Sequence, residues 1–180
     1  NTGGTIVGTI KNPTGDQRAF RWTSGGGIEV LPTLGGNRGI ANDINSSGVI
    51  VGSSRNASNQ LRPCVWTNGN PAALPTFGGN TGEAFAIDDA GTIVGSALSS
   101  NGFSYAAIWQ NGVIDSIDSY SGGGSGAVDL VDANTILGAV PGVASGATIW
   151  TRTGTAYEAI DLGTLDGATS NAFAINAPGE

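Results

Sequence analysis

The residue types able to carry chemistry are few, and the missing ones narrow the field first. The 180-residue chain has no histidine and one cysteine, Cys64. Ser–His–Asp and Cys–His catalysis both need an imidazole base, and zinc or iron sites need more nitrogen and sulfur ligands than this. A single thiol makes no intrachain disulfide framework; in an apolar run it reads as a small core residue. Carboxylates remain, at Asp43, Asp88, Asp89, Asp115, Asp118, Asp129, Asp132, Asp161 and Asp166 among others. A pair of them, one acid and one base or nucleophile, could hydrolyse glycosides. The adjacent Asp88-Asp89 could offer oxygens to calcium, yet such a site takes about six or more ligands and no D-x-D-x-D-G loop is present. Glycine-rich stretches such as 122–126 lack the Lys-Ser/Thr of a phosphate-binding loop. Aromatic faces could stack on sugars, at the four tryptophans or at Phe103, Tyr105, Tyr120 and Tyr157.

Most of these residues fall on an internal repeat. Gly8, Gly52, Gly95 and Gly138 each end a β-branched run, at separations of 44, 43 and 43. Trp22, Trp66, Trp109 and Trp150 follow at 44, 43 and 41. The run Leu31-Pro32-Thr33-Leu34-Gly35-Gly36 returns as Leu74-Pro75-Thr76-Phe77-Gly78-Gly79, decays at Ile117 to Tyr120, and reappears as Leu162-Gly163-Thr164-Leu165. Three markers in one register define four units of about 43 residues.

Each unit reads as four short strands. Ala41–Ile44, Ala84–Ile87, Ala127–Leu130 and Ala172–Ile175 are first strands. They are followed by turns such as Asn45-Ser46-Ser47-Gly48, Asp88-Asp89-Ala90-Gly91 and Val131-Asp132-Ala133-Asn134. Asn or Asp at the start can bond the backbone further on, and Gly or Asn at the end accepts a left-handed conformation. Strand two is apolar and β-branched, strand three ends on the tryptophan, and strand four follows an Asn/Gly turn. No useful 3.6-residue apolar period occurs, so almost no helix is expected.

Four strands in about 40–45 residues is the size of a β-propeller blade. The expected fold is therefore all-β, one repeat domain over 1–180. Its units are approximately 1–40, 41–83, 84–126 and 127–170, with a closing strand at 171–177 completing the N-terminal blade. The alternatives are part of a larger propeller, an open repeat array, or a two-chain ring. The recurring tryptophans then read as packing between blades, and Asp88, Asp89 and Asp132 as turn residues. Asp43 and Asp129, which share one position, read as turn-supporting. A catalytic pair should be unique and clustered, which the remaining carboxylates do not show. No catalytic, cofactor-binding or metal residue is assigned, and no cofactor is expected.

Glycine, 31 of 180 residues, and a charged fraction of 12% suit many short strands joined by turns. The net charge of −7, with Lys11 the sole lysine, disfavours nucleic acid and anionic lipid as partners. No run approaches the roughly 18 apolar residues of a membrane helix. No signal peptide is read in this numbering, and a start at Asn1 fits a processed or excised piece. Two glycosylation sequons, at Asn45 and Asn56, complete the inventory.

The assembled residues resemble the HAF repeat of bacterial extracellular proteins, roughly A-x-A-I-N-x-x-G-x-I-V-G, then H-A-F-x-W, then L-x-x-L-G-G. Matching stretches are Ala84 to Gly95, Arg18-Ala19-Phe20-Arg21-Trp22 and Leu31 to Gly36. The histidine of the motif is replaced by Arg18, Arg62, Tyr105 and Gly146, and the last two units lose the double-glycine turn. The resemblance implies a secreted or surface-exposed bacterial module and no activity. The expected function is a non-catalytic structural or interaction module, its partner an unknown protein or extracellular polysaccharide, with self-association possible. Carbohydrate binding and a filament subunit are the alternatives, and a glycoside hydrolase or lyase is the least favoured reading.

Overall fold

The computed structural model describes residues 1, 3–117, 124–140, 146–166 and 169–176. Among these residues there are fifteen strands and no helix. The first sheet has three strands, β1 (Ile6–Lys11), β2 (Gln17–Thr23) and β3 (Gly27–Val30). The second holds β4 (Gly35–Ile44), β5 (Ile50–Asn56), β6 (Leu61–Thr67) and β7 (Asn70–Ala73). The third holds β8 (Gly78–Ile87), β9 (Ile93–Ser99), β10 (Ser104–Gln110) and β11 (Val113–Ser116). The fourth holds β12 (Gly126–Asp132), β13 (Thr135–Val140), β14 (Gly146–Thr153) and β15 (Ala156–Asp161). Every sheet is an antiparallel meander in chain order.

The recurring glycine of strand two has a steric cause. Strand one carries a bulge opposite it: Ala41 pairs Gly52 but Asp43 pairs Val51, and Ala84 pairs Gly95 but Ala86 pairs Val94. Ala127, Gly138, Asp129 and Leu137 repeat the pattern. The extra residue pushes a strand-one carbonyl over the glycine. A Cβ there would lie 2.0 Å from the Ile40 oxygen at Gly52, 2.1 Å from that of Glu83 at Gly95 and 2.2 Å from that of Gly126 at Gly138. Only hydrogen fits.

The double glycines are not a turn. Gly35-Gly36 and Gly78-Gly79 open β4 and β8, which makes strand one longer than its apolar core predicts. A Cβ on Gly36 would come 2.6 Å from Cβ of Arg55, so these glycines let the connector run flush against strand two. The expected first two turns form: Asn45 Oδ1 accepts the Val49 N–H, Asp88 Oδ1 accepts that of Thr92, and Gly48 and Gly91 adopt φ of 79° and 86°. The third is tighter. Asp132 pairs Thr135 at the end of β12, leaving two residues in the loop, and its Oδ1 accepts from both Asn134 and Thr135.

Among the described residues the apolar side chains form three cores, each between consecutive sheets. Ala19 and Leu31 of the first unit meet Ala41, Ile50, Cys64 and Trp66 of the second. Val51 and Leu74 meet Ile93, Ala107 and Trp109. Val94, Ile108 and Ile117 meet Ala127, Ile136 and Trp150. The Trp-bearing faces of the second, third and fourth sheets thus pack against the sheet before each.

Strand pairing does not join the chain ends as expected. Residues 169–176 are not a strand, and among the described residues the first sheet ends at β1 without a fourth member. The C-terminal segment lies on the fourth sheet instead. Ser170 Oγ accepts the Ala147 N–H at 2.9 Å, and the Ile175 N–H donates to Asp129 at 2.9 Å. The same two kinds of bond seat other first strands on the sheets before them. Ser125 Oγ accepts from Ala106, and Asp43 accepts from Ile87. The segment is therefore held as strand one of a further unit.

Candidate functional site

Asp43 and Asp129, which the sequence suggests as turn supports, hold one sheet to the next. Asp43 Oδ1 accepts the N–H of Ile44 at 2.7 Å while Oδ2 accepts that of Ile87, one unit on, at 2.9 Å. Asp129 does the same for Leu130 and Ile175. Each carboxylate uses its two oxygens on two backbone donors in different units, an arrangement a neutral side chain of this size cannot make. The third unit has Ala86 at this place and lacks the clamp.

A second set of polar residues stacks at the turn end of the first strands. Asn1 Nδ2 donates to the Asn45 carbonyl, Asn45 Nδ2 donates to that of Asp88, and the Ser46 N–H reaches Asp89 at 2.7 Å. Bonds from the backbone and hydroxyl of Ser46 hold the Asp89 carboxyl below the ordinary carboxylate range. These turns, with Ile44, Ile87 and Leu130, line a shallow depression of about 350 Å³. Asp88-Asp89 thus belongs to a ladder of turns, and no group of three or more His, Cys, Asp or Glu able to hold a metal occurs among the described residues.

The tryptophans also work between units. Trp66 Nε1 donates to the Pro32 carbonyl at 2.8 Å and Trp109 Nε1 to that of Pro75 at 2.9 Å. Both reach back 34 residues to the Leu-Pro connector of the preceding unit. The corresponding carbonyl for Trp150 belongs to Asp118, outside the described residues. Trp22 is half-buried and has no such acceptor among the described residues. Cys64 is fully buried, and desolvation pushes its thiol up to about 12.

Both sequon asparagines are engaged. Asn45 is buried within the turn ladder, and Asn56 bonds the Gln60 backbone and side chain across its hairpin. Asp16, which the sequence reading passes over, is the hub of the preceding hairpin. It receives Asn12, Thr14 and Asn37, with Arg18 at 3.7 Å, and the Asn12 and Thr14 bonds chiefly hold its carboxyl low. The signal was present: Asn12, Asn56 and Ser99 stand 44 and 43 apart.

The non-repeated candidates are dispersed. Asp161 Oδ1 accepts the Gly163 N–H, Asp166 sits in a left-handed bend at φ 49°, Phe103 is exposed, and Tyr105 meets Phe77 edge-on at 6.2 Å. Tyr120 lies outside the described residues. Two candidates do converge. Asp115 and Tyr157 share an open cleft of about 280 Å³ between the outer hairpins of sheets three and four, with Gln110, Ile108 and Arg152. The Arg152 guanidinium lies 5.8 Å from the Tyr157 ring centre, and the Tyr157 hydroxyl donates to Ala133. Burial raises the Tyr157 phenol above its usual range. A non-repeated aromatic, a cation, an amide and a carboxylate thus line the same cleft.

No protein family, characterised protein or solved structure matches the chain.

Proposed function

We propose that this chain is a non-catalytic interaction module of an extracellular bacterial protein, its sheets standing as successive blades of a β-propeller and presenting loops to a protein or polysaccharide. The observation that carries this reading is the use made of the carboxylates. Asp43 and Asp129 bind backbone donors between sheets, Asp16, Asp88 and Asp132 close hairpins, and Asp89 accepts from Ser46 of the preceding turn. A general acid or nucleophile needs an oxygen free to meet substrate, and Asp16, Asp43 and Asp129 have both oxygens engaged by the scaffold. The likeness of the repeat to HAF sequences supports the extracellular setting. The test is a screen of purified protein against polysaccharide hydrolase and lyase substrates. No turnover is expected; turnover lost on Asp115→Asn would overturn the reading.

The cleft at Tyr157 favours glycan as the second kind of partner, because an aromatic edge beside Arg152, Gln110 and Asp115 offers both an apolar contact and hydroxyl-bonding groups. Affinity electrophoresis in polysaccharide gels should retard the wild type and not Tyr157→Ala. Unretarded wild type across the panel removes glycan and leaves a protein partner.

A further inference from the structure

The two ends of the sheet series carry the two halves of an interface that the molecule builds three times internally. Equivalent residues measure this directly. Ile50, Ile93 and Ile136 of strand two are 1%, 7% and 0% exposed, whereas Ile6 at the same repeat position is 55% exposed. The connector residues Leu31, Leu74 and Ile117 are 1%, 6% and 3% exposed, whereas Leu162 is 50% exposed and Leu165 three residues on is 99% exposed. At one end, the first sheet offers strands two to four, with the Trp22 face uncovered and, among the described residues, no strand on the outer edge of β1. At the other, residues 170–175 are already seated as a strand one by Ser170 and Asp129, with Phe173 86% exposed.

We propose that a second copy of this chain occupies these faces head to tail. Its first sheet packs on the fourth sheet of its neighbour, and the neighbour's residues 172–175 lie along its β1. The chemistry fits point by point. Gly8 stands where Gly52, Gly95 and Gly138 receive a bulge carbonyl, and the nearest atoms to its Cβ position are those of the Phe20 ring rather than a strand-one carbonyl. By repeat position the Trp22 indole N–H would meet the neighbour's Gly163 carbonyl, the equivalent of Pro32 for Trp66 and Pro75 for Trp109. The Leu162 N–H already donates to Ala147 at 2.9 Å, as Leu31 does to Ala19 and Leu74 to Pro63, so that connector is set in the internal geometry. The occupant is thus specified by continuity with an established interface. This inference stands apart from what the loops or the Tyr157 cleft bind.

The test uses the 180-residue chain and two exposed substitutions that leave each fold intact, checked by circular dichroism. Ile6→Lys disables the first-sheet face and Leu165→Lys the opposite one. Sedimentation equilibrium should show concentration-dependent association of the wild type, with each variant alone monomeric. An equimolar mixture of the two variants should form a 1:1 dimer, because each retains the face the other lacks. A wild type monomeric at every concentration overturns the proposal and points to closure within one chain. Association that survives both substitutions, or a mixture that stays monomeric, overturns it as well.

Discussion

Gly95→Ala is the sharpest perturbation of the repeat. The new methyl would lie 2.1 Å from the Glu83 oxygen and 2.9 Å from Cα of Ala84, both backbone atoms that cannot rotate away. Contacts under 3.0 Å are not sustained, so β8 must retreat by about 1 Å. That loosens the ladder on either side of the bulge, at about 1 kcal/mol per hydrogen bond. It also strains the core packed on Val94 and Ile93, at about 1–3 kcal/mol for an overpacked site. The expected cost is about 3–5 kcal/mol. Gly8→Ala is the internal control. It occupies the same repeat position, but within one copy its Cβ would meet only the Phe20 ring, at 3.0 Å, and a side chain can shift, so both changes are compared on the Leu165→Lys background. That change should stay within about 1 kcal/mol. Urea unfolding followed by tryptophan fluorescence measures both, with slopes compared because stacked units can unfold in parts. A Gly95→Ala protein within about 1 kcal/mol of wild type, or no more affected than Gly8→Ala, would refute the steric account of the recurring glycine.

Asp43→Ala leaves the Ile87 N–H without its acceptor at a residue only 6% exposed, and should cost about 2–3 kcal/mol by the same unfolding assay. An effect under about 0.5 kcal/mol would show that the clamp adds nothing. Cys64, fully buried with its thiol raised to about 12, should react with a thiol reagent only as fast as the protein unfolds; prompt modification at neutral pH contradicts that burial. Asp16 and Asp89 have lowered carboxyl pKa values. Their contribution is therefore present above the unfolded value near 3.8 and is lost as pH falls through the lower folded values. Unfolding midpoints measured below pH 4 should decline less steeply in Asp89→Asn; an unchanged slope sinks the assignment.

The spacing of glycine and tryptophan made the unit length, strand order and strand-two register legible without coordinates, because each marker fills one fixed place in every unit. Four features were not legible. A bulge adds one residue to strand one and leaves no trace in so short an apolar run, so the reason for Gly52 and Gly95 stayed hidden. Asp43 and Asp129 looked local because their second acceptor role lies 44 and 46 residues away, and Ala86 interrupts the pattern. Pro63 conceals a third. It has no N–H to offer and Gly82 packs on its ring, whereas Ala106 and Ala147 each need a serine. The cleft at Tyr157 joins residues of two units that no motif links.

The central claim is that the second and third sheets are each fixed to the one before through the tryptophan indole. Hydrogen–deuterium exchange of the four indole N–H groups tests it, recorded by NMR on the Leu165→Lys protein so that one copy is observed alone. The account predicts slow exchange at Trp66 and Trp109, whose protons rest on Pro32 and Pro75, and fast exchange at Trp22. Equal protection of Trp22, or rapid exchange at Trp66 and Trp109, would contradict it.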